Sequence, residues 1–187
     1  MSFRFLVITI SFLIIFLSCD KDENKQEEKP IITLLNQQSI VIDTLIAAEP
    51  WIYGFKFSTL EDGKIKGLGM KLPKKGSYKA KLWNLDNGEL ITEEIITSNA
   101  AHAEIFNSIS EISVQKNTNL GISIEADSFY KIRKSDNSNF TFPITTGNIR
   151  IFSFHESKIS ENISGKFPSM TKNDEMSPCI DMIFIAE

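Results

Sequence analysis

Apolar and polar residues alternate with a period of two along much of the chain, the pattern of strands that bury one face. Tyr53-Gly-Phe55-Lys-Phe57 alternates aromatic side chains with small or charged ones. Tyr78-Lys-Ala80-Lys-Leu82 puts two lysines on one face, and Leu120-Gly-Ile122-Ser-Ile124-Glu-Ala126 is the cleanest alternation in the chain. Ile149–Phe154 and Ile180–Ile185 are apolar on both faces, as in central strands covered on each side. Between them lie Glu61-Asp62-Gly63, Pro73-Lys74-Lys75-Gly76, Asp86-Asn87-Gly88 and the weaker Asn117-Thr118-Asn119. Asn-Gly between alternating runs signals a hairpin in which both turn residues take positive φ. No stripe of period 3.6 lasts beyond two turns. Residues 31–187 are therefore expected to form one all-β domain, an antiparallel β-sandwich.

Trp83 conflicts with that pattern. Strict alternation places it on the lysine face of its strand, opposite Leu82. Either a bulge resets the pleat there, or Trp83 is at least partly exposed and suited to stacking on a sugar; a tryptophan that caps the sandwich edge is the commoner fate.

One long apolar run precedes the strands, Phe5–Leu17, with Arg4 in front of it. A spanning helix needs about 20 apolar residues, so this shorter run fits the core of a secretory signal. Phe16-Leu17-Ser18-Cys19 closes it and resembles the lipobox of bacterial lipoproteins, where small residues precede an obligatory cysteine. Phe16 and Leu17 depart from the usual Leu and small residue of that motif. The resemblance implies that residues 1–18 are a signal peptide and that Cys19 becomes the first mature residue. Its thiol would carry a diacylglyceryl group and its amine an acyl chain. Several chains make a stable anchor where one binds only marginally. The implied partner is thus a membrane, and the implied place is the cell envelope, as an outer-membrane lipoprotein.

Residues 19–30 read as a disordered acidic tether. Asp20–Pro30, DKDENKQEEKP, has too little apolar surface to offset its ordering entropy, and would extend to about 36 Å at most. Its acidic start also resembles the export signal of certain Gram-negative surface lipoproteins, which implies surface display; a plain solvated linker is the alternative. The whole chain carries 20 Lys and Arg against 24 Asp and Glu, a net charge of −4. With no basic run, it offers nucleic acid no electrostatic footprint. The lysines from 64 to 81 alternate with apolar residues and read as the solvent face of strands. With Cys19 lipidated, Cys179 has no partner for a disulfide and reads as a small buried hydrophobe.

Residues 53–85 and those just beyond carry a second resemblance. Gly54-Phe55-Lys56-Phe57, Gly63-Lys-Ile65-Lys-Gly67-Leu68-Gly69-Met70, and Leu82-Trp83 ahead of Asp86-Asn87-Gly88 resemble a secreted bacterial β-sandwich family of unassigned function. That family is marked by G-x-I-x-G and by LW-x-x-x-G. Ile112-Ser-Val114 with Asn119-Leu-Gly-Ile122-Ser-Ile124 looks like its later strand pair, and Cys179-Ile-Asp181-Met-Ile183-Phe184 like its closing strand. Gly69-Met70 stands where the family often has an arginine and an aromatic, and a tryptophan usual near residue 102 is absent. The resemblance implies a jelly-roll-like sandwich found beside adhesion and carbohydrate-handling modules. It implies no catalytic residues.

Catalytic chemistry has few residues to work with, and none is assigned. His102 and Glu104, two apart on one expected strand face, lack the further ligands a zinc site needs; His155-Glu156 is no better. There is no G-x-S-x-G elbow, and Asp86-Asn87-Gly88-Glu89 lacks the ligand spacing of a calcium loop. No metal and no cofactor are expected. The loops say more. His155–Pro178 carries few strand signals yet contains Phe167, Met170 and Met176, which either plug the end of the sandwich or touch a ligand. The polar loop Lys134–Asn139 leads into Phe140 and Phe142. Trp83, Phe140, Phe167 and Met170 are the candidate ligand-binding residues. The leading expectation is an anchored envelope module that binds a glycan or a protein. An accessory subunit packed on another envelope protein comes second, and a hydrolase third.

Overall fold

A computed structural model describes residues 25–37, 40–162, 165–172, 176–177 and 179–187. Cys19, the expected signal peptide and most of the expected tether lie outside those residues. The described chain forms helix α1 (Pro30–Gln37) and strands β1 (Ile40–Thr59), β2 (Gly63–Lys71), β3 (Gly76–Asn84), β4 (Glu89–Ser98) and β5 (Glu104–Val114). These are followed by β6 (Leu120–Lys134), β7 (Ile144–Thr146), β8 (Ile149–Lys158), β9 (Met170–Lys172) and β10 (Ile180–Ala186). The larger sheet has the order β4-β3-β6-β1-β8-β7, with β9 beside β8, and the smaller has the order β10-β2-β5. Every pairing is antiparallel. The chain leaves the larger sheet for β2, returns for β3 and β4, crosses to β5, returns for β6 to β9 and ends in β10. This is the expected jelly-roll-like β-sandwich.

The alternation read from the sequence sets which side chains meet between the sheets. Phe55, Phe57, Leu82, Ile122, Ile124 and Ile151 from the larger sheet face Ile65, Leu68, Met182 and Phe184 from the smaller, and all are fully buried. Each contributes about 1.5–3 kcal/mol relative to exposure. Phe140 and Met176 also belong to this core, at 4% and 1% exposure.

The folded part begins earlier than expected. Glu28 forms an antiparallel bridge with Phe184, its N–H donating to the Phe184 carbonyl at 2.8 Å. Its carboxylate accepts from the backbone N–H and side-chain amide of Asn148, both at 2.6 Å. The last residues of the expected tether thus clamp the β7–β8 turn of one sheet to β10 of the other. Helix α1 follows, burying Ile31 and Leu34. The Asp181 carboxylate of β10 accepts the Ile31 and Ile32 amides at 3.1 Å, satisfying two donors that an uncapped helix start would leave free. An eight-residue helix is too short for its stripe to stand out in the sequence. No helix among the described residues is long and apolar enough to cross a membrane.

Three local expectations change. Asn84 pairs with Glu89, so the β3–β4 hairpin has a four-residue turn; Gly88 takes φ +75° while Asn87 does not enter the positive region. His102 is not on a strand: it sits at φ +64° in the turn before β5 and donates its N–H to the Leu72 carbonyl. The stretch expected as a long loop from His155 is partly regular, since β8 runs to Lys158 and β9 pairs with it through Glu156↔Met170.

Candidate functional site

The candidate residues do not converge. Trp83 is 5% exposed, and its indole N–H donates to Ser123 Oγ at 3.1 Å. It nevertheless stays on the lysine face. Leu82 pairs with Thr92 and Trp83 with Leu90, so the bulged residue, Ile91, is on β4 and the pleat of β3 runs on undisturbed. Neither a bulge in β3 nor an exposed indole is found, because other parts of the chain cover that face. Gly121 is the cross-strand partner of Trp83, and the Phe167 ring lies where a Gly121 side chain would project. Phe167 also meets the His155 ring edge-on at 5.3 Å. Ser169 N–H donates to Ser157 Oγ at 3.0 Å, holding residues 165–169 down on the sheet. Trp83 and Phe167 are therefore cover, Phe140 is core, and neither Trp83 nor Phe140 offers a stacking face. Met170 is 45% exposed on the edge strand β9, which pairs with β8, whereas Trp83 is on β3 at the other side of the sheet order.

Beneath Phe167, Ser153 Oγ and His155 Nε2 are 2.8 Å apart, side by side on β8. Burial, then the charge of Lys56, pulls the His155 imidazole down to about 4, against a smaller opposing effect of the Ser169 backbone. The ring is neutral at physiological pH. Its buried Nδ1 makes no hydrogen bond, so no acid orients it as a base. Phe167 lies over the pair, and neither residue lines the clefts at the β1 kink. A nucleophile needs an oriented base and room for a substrate, and this pair lacks both. Cys179 is equally unsuited, because burial pushes its thiol up to about 12 and Sγ accepts the Tyr130 N–H.

A different region has the shape of a site. Between Ile46 and Trp51 the β1–β6 register shifts, with four β1 residues set against the single Asp127 of β6. Pro50 lies in that excess and cannot donate to the ladder, which is why the pairing breaks there. The kink opens a cleft of about 260 Å³ lined by Leu45, Ile46, Ala47, Trp51, Tyr53 and Phe129, with Lys131 and Glu156 at its rim. Tyr53 forms the floor, 1% exposed, its ring centroid 4.4 Å from that of Phe129. Burial is the main cause of the upward shift of its phenol, which stays neutral. Trp51 is half-buried, with Lys158 Nζ 5.7 Å from its ring centre.

The cleft shares Leu45 and Lys131 with a broader basin of about 770 Å³ lined also by Asp43, Thr44, Arg133, Asn137 and Asn139. Cross-strand pairs Leu45↔Phe129, Asp43↔Lys131 and Val41↔Arg133 put these side chains on one face. Arg133 holds Asp43 at 3.6 Å and donates to Asn137. The result is one trough with aromatic walls at one end and planar polar side chains at the other. Sequence reading missed Trp51 and Phe129; the one signal was Glu49-Pro50 directly before a tryptophan, inside a run of strand-forming residues.

The opposite face of the same arm has a smaller cleft of about 220 Å³ lined by Leu35, Ile42, Lys71, His102 and Tyr130. There His102 Nδ1 and Tyr130 Oη are 2.6 Å apart. Among the described residues, no three His, Cys, Asp or Glu side chains are grouped to hold a metal ion. No protein-family model matches the chain, and no curated protein matches it.

Proposed function

We propose that this chain is a lipid-anchored protein of the bacterial cell envelope, held to the outer membrane through Cys19, whose sandwich binds a glycan in the trough at the β1 kink. The observation that carries this reading is the continuity of that trough, from Trp51 and Phe129 through Leu45 and Lys131 to Arg133, Asn137 and Asn139. A sugar ring has an apolar face that stacks on an aromatic side chain and hydroxyls that pair with amide, carboxylate and guanidinium groups. The trough offers both. The buried Trp83 adds nothing to such binding, and the Ser153–His155 contact favours no hydrolytic chemistry.

The test is an array of bacterial and host glycans probed with the folded full-length chain, followed by titration of any hit against Trp51→Ala. Binding that falls at least tenfold in Trp51→Ala, with circular dichroism unchanged, supports the reading. Arrays that stay blank with folded protein, or a glycan bound equally by Trp51→Ala, overturn it. A protein partner is the second reading, favoured by Ile42 and Ile46, which are 53% and 68% exposed. The anchor itself is tested by mass spectrometry of the mature amino terminus, where an unmodified Cys19 thiol would remove it.

A further inference from the structure

One edge of β1 is open over part of its length among the described residues. β8 pairs with β1 only from Trp51 onward, while β6 covers the other edge from Ile40 to Ile46. Among the described residues nothing pairs with the second edge from Ile40 to Ala48; Glu49 ends it, bound to Lys158 at 3.4 Å and to Ser160 at 3.2 Å. Sheet proteins usually protect such an edge with lysines, prolines or a covering segment. This stretch, Ile-Val-Ile-Asp-Thr-Leu-Ile-Ala-Ala, has neither lysine nor proline and a single charge, Asp43. Ile42 and Ile46, its two most exposed apolar residues, lie on the same face two positions either side of Thr44.

We infer that the occupant is a second copy of this chain, paired antiparallel along Ile40–Ala48 about a two-fold axis through Thr44. Thr44 is the midpoint of the open stretch, so this register alone uses all of it. It sets Ile42 against the partner's Ile46, and each Ile46 against the partner's Ile42, which covers both exposed isoleucines. It sets Thr44 against Thr44, a favourable cross-strand pair. It places Asp43 against the partner's Leu45. Moving the axis by one residue to Asp43 would bring two carboxylates directly opposite each other, which is destabilising. A two-fold axis normal to the sheet keeps each face continuous, so the larger sheets of two copies join into one. This inference stands on the strand edge, independently of any ligand in the trough.

Cysteine cross-linking in intact cells producing the full chain tests it. Paired residues directly opposite have Cα atoms about 4.5–5.5 Å apart, within disulfide range, whereas positions offset by two are about 7–8 Å apart and outside it. Thr44→Cys is expected to give a dimer band on non-reducing gels that Asp43→Cys, Leu45→Cys and the unmodified chain do not give. Adding Ile46→Lys to Thr44→Cys is expected to abolish that band at unchanged protein level, by weakening association about 100-fold or more. Should Thr44→Cys be degraded, the double variant Ile42→Cys/Ile46→Cys provides a second probe, with the same expected dimer. Cross-linking at Asp43 in place of Thr44, equal bands at all three positions, or bands to a different protein overturn the inference. So does a folded, abundant Thr44→Cys chain that stays monomeric.

Discussion

Two surfaces of the larger sheet meet opposite fates. On the outer face, Gly54 and Gly121 leave space where other residues would carry side chains, and residues 165–169 return across it, setting Phe167 over Gly121 and beside His155. Along the β1–β6 arm Met176 bridges Ile132 of β6, but no described segment covers β1 there, and Ile42, Leu45 and Ile46 stay 53%, 38% and 68% exposed. Both surfaces arise from the same alternating pattern. What separates them is whether a distant part of the chain comes back to finish the burial. The covered face is thereby part of the folding energy, and the uncovered one is available for association.

The covered face should be intolerant of added volume. A Gly54→Val side chain would run into the Ile122 carbonyl and Ser123 of the neighbouring strand, which is expected to cost about 3 kcal/mol or more in urea unfolding. Acid should act there next. His155 has a folded-state value of about 4, while an unfolded histidine titrates near 6.5. The unfolded chain binds the proton first, so the stability this neutral ring contributes is complete above about 6.5 and is lost as pH falls toward 4, by about 3 kcal/mol at most. Asp181 acts oppositely. Burial holds its carboxyl up to about 7 despite three amide donors, so its contribution is complete below the ordinary carboxylate value and fades as pH rises through 7. Comparing the wild type with His155→Gln across pH 4–7 isolates the histidine. The expected result is a shallower acid loss in His155→Gln, and parallel curves would contradict it.

A smaller effect is expected at Phe167. Phe167→Ala should lose about 1–2 kcal/mol, since the ring is half-buried. Gly121→Ala collides with that ring, at 2.6 Å, and so should cost less in the Phe167→Ala background than in the wild type. A double-mutant cycle measures this coupling, and strict additivity would mean that Phe167 does not cover the sheet. The smallest stability change belongs to the arm. Leu45→Ser is expected to move the unfolding free energy by less than about 0.5 kcal/mol while weakening glycan binding in the trough.

The sandwich was legible because the strand alternation reports directly which parity is buried, as in Tyr53-Gly54-Phe55-Lys56-Phe57. Cys179 as a buried thiol was legible for the same reason. The candidate site was not. Exposure of Trp83 stayed open because its local pattern carries no trace of Phe167, more than eighty positions later, arriving over Gly121. Phe140 and Met176 fill core positions that no period marks. Trp51 and Phe129 become a cleft only because Pro50 breaks a pairing between strands far apart in the chain. The capped start of α1 likewise depends on Asp181, a residue 150 positions away.

Acrylamide quenching of the two single-tryptophan variants of the full chain tests the contrast most directly, since Trp51 lies at the open cleft and Trp83 under cover. The expected result is ready quenching of Trp51 emission in Trp83→Phe, and protected Trp83 emission in Trp51→Phe that becomes quenchable when Phe167→Ala is added. Equal quenching of both tryptophans in folded protein, or Trp83 emission indifferent to Phe167→Ala, would contradict the division between a finished surface and an open one.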